Sequence, residues 1–210
     1  RIFIFPVSQP LIHMLNTIVN KARGFLLEPV ETFRKSRADA PGVVLAYFLA
    51  LLLVNAVLSA IVAAVFASQM PFLAGISSGV PLPVLVFFAA LAGGFILTLV
   101  FAAWVHLWVY VFGGRKGIMQ TVSAIVYGHT PRLLLGWIPL IGFLFTLWSL
   151  ALNILGLREL QELSALKAIL VIAIAVLIPL ILIILAAAYF LIGSAAMTAV
   201  PSPVNAFPLQ

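Results

Sequence analysis

The 210-residue chain contains no cysteine, so disulfides and thiolate metal sites are excluded. Acidic side chains are almost as scarce: no Asp or Glu lies between Pro41 and Arg158, and none follows Leu163. Proton-coupled transport and carboxylate-based hydrolysis draw on acids placed within the membrane or catalytic region, and the body of this chain has none. H-E-x-x-H is missing, as is a phosphate-binding glycine loop followed by Lys and Ser/Thr. Gly75-Ile76-Ser77-Ser78-Gly79 spells G-x-S-x-G, but in an outer loop without the strand–turn–helix setting or the acid/His partner that motif needs. Neither catalysis, a cofactor nor a metal is expected.

Charge of either sign makes up only 8% of the chain, and 65% is hydrophobic; the mean hydropathy is +1.28. A soluble domain carries about a quarter charged residues, so a surface this poor in charge belongs in a bilayer. Five long apolar runs are present: Val43–Ala67, Val84–Phe112, Met119–Leu135, Trp137–Leu155 and Ala168–Ile192. A hydrocarbon core about 30 Å thick takes about 20 apolar residues per helix, and the runs do not alternate as barrel strands would. The expected fold is all-α: a polytopic bundle of five transmembrane helices. Threaded this way, every Lys and Arg except Arg132 falls on the side of the N-terminus. By the positive-inside pattern the N-terminus is cytoplasmic and the C-terminus outside. The net charge of +6 is thereby accounted for by cations flanking spans and meeting lipid headgroups, with no nucleic acid involved.

Three regions follow. Residues 1–37 comprise an N-terminal extension, with Met14 a plausible natural start, and an amphipathic segment in the cytoplasmic interface. Leu15, Ile18, Val19, Ala22, Phe25 and Leu26 recur there at helical spacing. Residues 38–195 form the membrane domain, and 196–210 a disordered proline-rich tail. Within the domain, Gly93-Gly94 is the expected bend of an overlong second span. Gly156 is expected to cap the fourth, followed by a short amphipathic cytoplasmic segment from Leu157 to Leu163, and Pro179 to kink the fifth. The third run is the most polar and should be buried in the bundle; the third and fourth runs could equally form a re-entrant hairpin.

Two groups of residues are candidates for function. Arg132 is the basic residue that breaks the charge rule. It either snorkels to outer lipid phosphates or joins Tyr127, His129, Thr130 and Asn153 in an intramembrane polar cluster that binds a headgroup or small ligand. His106 and His129 differ in depth by roughly 10 Å at about 1.5 Å per residue, which excludes joint metal ligation; each reads as a buried hydrogen-bonding histidine. On the cytoplasmic side, Arg34, Lys35, Arg115, Lys116, Arg158, Glu159 and Glu162 form a candidate partner surface.

The order of several motifs resembles the Yip family, membrane proteins named for interaction with Ypt/Rab GTPases. They are Gly113-Gly114-Arg115-Lys116-Gly117, Tyr127-x-x-Thr130-Pro131, Ile138-Pro139-x-x-Gly142, Leu147-Trp148-Ser149-Leu150, Gly156-Leu157-Arg158-Glu159-Leu160 and Leu163-Ser164-x-x-Lys167-Ala168. Glu28-Pro29-x-x-x-Phe33 is similar to the lead-in of prokaryotic members. The resemblance spans roughly Pro29–Ile192 and implies five spans with the N-terminus inside. The long acidic, aromatic-rich N-terminal region of eukaryotic relatives is not seen, so Rab binding is not carried over. The resulting expectation is a non-enzymatic membrane organiser or trafficking-type adaptor in the cell membrane (the ER or Golgi membrane if eukaryotic). Membrane lipids, protein partners at the cytoplasmic face and further copies of the chain are its expected contacts. The alternative is a small transporter, channel or lipid-handling protein whose third span lines the path.

Overall fold

The structure, a computed structural model, describes residues 8–69, 75 and 79–199. Among them every regular element is a helix. Helix α1 (Ser8–Leu27) turns at Glu28 into the short α2 (Pro29–Lys35). A 3-10 turn at Ser36–Ala38 leads into α3 (Pro41–Val65). Helix α4 (Leu82–Val111) is followed by α5 (Ile118–Gly128), α6 (Thr130–Leu135), α7 (Gly142–Leu160) and α8 (Ala165–Ala199). The central letters of the G-x-S-x-G match, the first seven residues and residues 200–210 lie outside the described residues.

Four helices are long and apolar enough to cross a membrane: α3, α4, α7 and, in α8, Ala165–Ser194. Proline sits in the first turn of α2 and α3, where its missing N–H costs no helical bond. Where the second span is expected to bend, α4 carries a π-turn at Ala89–Gly93. Directly after it Gly94 meets α3 so closely that a Cβ would stand 2.7 Å from the Leu52 side chain.

The third run is the broken one. Helices α5 and α6 are separated only by His129, and neither is long enough to cross alone. Together they reach about 27 Å at about 1.5 Å per residue. The interruption has a local cause. Pro131 has no N–H to offer the Tyr127 carbonyl four residues back, and the Thr130 hydroxyl takes its place, donating to that carbonyl at 2.6 Å. As expected from its polarity, α5 is the core: Thr121 and every residue from Ser123 to Gly128 are buried.

Cross-helix bonds give the chain directions around α5. His106 with Thr121, and Phe101 stacked on His129, make α4 antiparallel to α5. Gln161 with Thr121, and Ser149 with the Arg132 N–H, do the same for α7. Tyr47 with Thr130, and Asn55 with the Leu133 carbonyl, set α3 in the same sense as α5–α6.

Three expectations change. Gly156 does not cap α7, which continues to Leu160. A Cβ there would lie 2.9 Å from the Phe33 ring and 3.1 Å from the Ala124 Cα, so this glycine buys close approach inside a helix rather than a stop. The Leu157–Leu163 stretch is correspondingly less exposed than an amphipathic surface segment, with Leu157, Glu159, Leu160, Gln161 and Leu163 all buried. The N-terminal segment, too, does more than lie in an interface. Ala22, Phe25 and Phe33 are buried, with Phe25 stacked on Tyr127 at 4.6 Å and Phe33 seated over Gly156.

Contacts divide the chain into a body ending at Ile172 and a second unit beginning at Ala173. The contacts described above all lie within the first. The second is the remainder of α8, which stays helical through Pro179 and past residue 196 to Ala199. Its side chains from Leu180 to Ile192 are exposed and apolar.

Candidate functional site

Polar chemistry in the body gathers at the end where α1, α2 and the start of α3 meet α5 and α7. At its centre is Asp39, the only aspartate in the chain, just ahead of α3. Its Oδ2 accepts from the Lys21 ammonium and from the Tyr127 hydroxyl. Lys21 also donates to the Tyr127 hydroxyl oxygen at 3.3 Å. Phe25, Tyr47 and Tyr127 pack around this trio with ring centroids 4.6–6.1 Å apart. Tyr47 then reaches the Thr130 hydroxyl at 2.7 Å. Because the single Thr130 proton goes to the Tyr127 carbonyl, Tyr47 is the donor in that pair.

A second cluster fastens α2 to α7. Glu159, with only 7% of its side chain exposed, faces the guanidinium groups of Arg34 at 2.9 Å and Arg158 at 3.1 Å. Its backbone carbonyl accepts from Arg37 at 2.5 Å. Glu162 pairs with Lys116 at 2.7 Å and Arg37 at 3.5 Å. Its backbone sits at φ 55°, a left-handed conformation uncommon outside glycine. The hydrogen bond from Lys116 holds the Glu162 carboxyl below the usual range. The Glu159 hydrogen bond likewise raises Arg34 above its ordinary value. Gln161 closes the cluster. Its amide donates to the Gly117 carbonyl at 2.7 Å and to Thr121 at 2.9 Å, and its oxygen accepts the Lys116 N–H. The turn it grips needs glycine at both ends, since Gly113 and Gly117 have φ of 96° and 90°.

These positions divide the residues singled out from sequence. Arg34, Lys116, Arg158, Glu159 and Glu162 do come together, but as an internal clasp with Glu159 beneath it. Lys35 pairs with Glu31 one turn back on α2. Arg115 folds over the Tyr110 ring at 3.9 Å and donates to the Tyr110 carbonyl at 2.6 Å. The intramembrane group separates. Tyr127 and Thr130 serve the Asp39 and Tyr47 contacts, while His129 is buried against Phe101. Asn153 is fully buried against Gly128, so close that a Cβ there would stand 2.9 Å from its Cγ and its backbone nitrogen. Neither amide atom of Asn153 has a hydrogen-bond partner among the described residues. Arg132 is exposed, and its backbone N–H, not its guanidinium, makes the bond to Ser149. Among the described residues no group of three or more potential metal ligands occurs.

The model of the Yip1 domain matches residues 23–199, most of the chain. The chain belongs to the Yip1 domain family. It is accordingly a membrane protein of a trafficking-type family, its apolar helices in contact with lipid. Comparison with curated proteins and with solved structures found no match. The Yip1 domain match contains the whole Glu159–Glu162 clasp and both Asp39 and Tyr127, but it begins after Lys21.

Sequence reasoning missed Lys21, Asp39, Phe25, Phe33 and Gln161. One signal was available for Asp39: a lone aspartate two residues before the proline that opens an apolar run. The aromatic contacts carry no such mark, because Phe25 and Phe33 are two of 16 phenylalanines.

Proposed function

We propose that this Yip1 domain protein is a non-enzymatic membrane organiser. It crosses the bilayer five times, with α5–α6 as a broken third span, and recruits partners at the cytoplasmic end. Support for five crossings comes from chain direction, since α3 and α5–α6 run one way and α4 and α7 the other. A broken span is acceptable where neighbouring helices and side chains re-satisfy the freed backbone groups, as Thr130 does for the Tyr127 carbonyl.

One observation carries the choice of organiser over transporter: three polar side chains of the third run, Thr121, Tyr127 and Thr130, are spent as links to other elements. Thr121 bonds His106 and Gln161, Tyr127 bonds Asp39, and Thr130 bonds Tyr47. Such bonds contribute about 0.6 kcal/mol each on average and hold a packed platform together. At the charged end, the exposed faces of Arg34, Lys35 and Lys116 remain for a partner to read.

Reconstitution tests this. Proteoliposomes of the purified chain should show neither solute flux nor lipid scrambling above protein-free vesicles, and a protein-dependent rate in either assay refutes the organiser reading. A reporter fused to the C-terminus should be silent in the cytoplasm, whereas a cytoplasmic signal refutes the five-span threading.

A further inference from the structure

At the end of the body that carries the clasp, a cavity of about 210 Å³ is lined by Arg37, Lys116, Gln120, Leu160 and Glu162. It lies between the approach to α3, the turn before α5 and the end of α7. Its charges do not balance. Glu162 is one carboxylate shared by Arg37 and Lys116, so the lining keeps a positive charge in excess. The adjoining carboxylate does not take that charge up. Glu159 already faces Arg34 and Arg158 at 2.9 and 3.1 Å, and Arg37 comes no nearer to it than 4.0 Å. Four cations of the clasp thus meet two carboxylates, an excess of two.

Both lining cations keep unused donors. A guanidinium has five N–H groups and an ammonium three, while the side chains of Arg37 and Lys116 are 45% and 49% exposed. Gln120 stands in the first turn of α5, where Gly117 supplies no side-chain cap, and the leading N–H groups of a helix add positive potential. The Gln120 Nε2 donates to the Arg37 carbonyl at 3.0 Å. Its Oε1 is shut off from water and has no partner among the described residues. Cationic donors beside one unpaired acceptor suit an anion that carries a donor of its own. At about 30 Å³ per water-sized group, the space takes roughly seven such groups, enough for a phosphate with a short polar substituent and too little for an acyl chain. Tyr110, Val111 and Ile118, on either side of the same turn, are exposed, and acyl chains would lie along them.

We propose that this cavity holds the headgroup of one anionic phospholipid of the adjoining leaflet, its phosphate on Arg37 and Lys116 and a headgroup hydroxyl or ammonium on Gln120 Oε1. Glu162 then both positions the two cations and competes with the phosphate for them. The site does not rest on the organiser reading, because it requires neither a protein partner nor the absence of transport.

The full chain is reconstituted in nanodiscs of phosphatidylcholine with a rising fraction of phosphatidylglycerol, released into mild detergent and weighed by native mass spectrometry. One phosphatidylglycerol per chain is expected, and the fraction that gives half-occupancy is the readout. Lys116→Gln should raise that fraction about tenfold or more, as the loss of a hydrogen bond to a charged group does. Glu162→Gln should lower it, since the same cations then face the phosphate without a competitor. Arg23→Gln, which removes an exposed cation of α1 outside the cavity, should leave it nearly unchanged. An unshifted fraction in a Lys116→Gln chain that unfolds at the parent's temperature overturns the proposal. An equal rise in Arg23→Gln overturns it too, by showing diffuse attraction to the surface. Where Lys116→Gln is destabilised, Glu162→Gln decides alone, and a fraction that fails to fall refutes the site. Glycerophosphoglycerol, the same headgroup without chains, should not displace the lipid at equal concentration; if it does, the cavity belongs to a soluble phosphodiester and the lipid assignment is wrong.

Discussion

Removing the Phe33 ring should loosen the N-terminal helices from the body, and the cost can be built from its contacts. Phe33 is fully buried, 4.8 Å from the Phe25 ring by centroids, and presses on Gly156. Phe→Ala at such a site costs about 3–5 kcal/mol, the transfer loss plus the cavity left behind. Gly156→Ala acts on the same contact from the other side. Its new Cβ would lie 2.9 and 3.0 Å from two Phe33 ring atoms, and overpacking of this kind costs about 1–3 kcal/mol. The two substitutions should not add. With the ring gone, the two closest of its contacts disappear, leaving the Ala124 Cα at 3.1 Å, and part of the emptied volume is refilled. The double variant is therefore expected to be more stable than the sum of the singles by about 0.5–3 kcal/mol, the range for residues in direct contact. Thermal unfolding in a fixed detergent supplies the cycle, and amide exchange over residues 29–38 supplies the location. Additivity within about 0.5 kcal/mol, or unaltered exchange in that stretch for Phe33→Ala, would show that Phe33 does not hold α2 to α7 through Gly156.

Thr130→Val should leave the Tyr127 carbonyl without a donor beside Pro131 and the Tyr47 hydroxyl without its acceptor, each at a cost of about 1–3 kcal/mol, of which the first share is the one at issue here. Pro131→Ala in the same chain should recover much of that by restoring the missing N–H, and a double variant no better than Thr130→Val in thermal unfolding would contradict this. Acid should open the Lys116–Glu162 contact. The folded-state carboxyl lies below its ordinary value of 4.5, so its stabilisation is complete above that value and is lost as pH falls through the folded one. Amide exchange in the Gly113–Gly117 turn, corrected for intrinsic rates, should rise over that interval in the parent and not in Glu162→Gln. A rise of the same size in both chains refutes the assignment.

Much of the architecture was legible because a bilayer imposes strong rules on composition. Continuous apolar runs with charges at their ends indicate spanning helices, and four of the five runs are single helices of adequate length. The third run was legible as buried from its polarity, though not as broken at His129. That break depends on one missing N–H at Pro131 and its replacement by a threonine hydroxyl. Glycine was the least legible residue. Gly156 looks like a helix stop by its place before a charged segment, yet the ring of Phe33, more than a hundred residues away, is what demands it. Short-range patterns report which face a helix buries. They say nothing of which distant side chain lands on that face.

The scarcity of acid takes on a different meaning once the partners are known. From sequence it argues about chemistry, removing the carboxylates that a pump or hydrolase would use. In the folded chain three of the five carboxylates each join separate parts of the polypeptide. Asp39 links α1 to α5 through Lys21 and Tyr127, Glu159 links α2 to α7, and Glu162 links the Gly113–Gly117 turn to the approach to α3. A buried carboxylate is costly unless its partners are well placed, so a chain with few of them concentrates the cost where register matters. All three stand at the end of the body where apolar packing must give way to water. There the ion pairs specify how α1 and α2 dock, which lipid-facing apolar surface alone would leave free to slide. On this reasoning the excess of base over acid has two parts: cations already committed to three carboxylates, and cations left over to meet anionic headgroups.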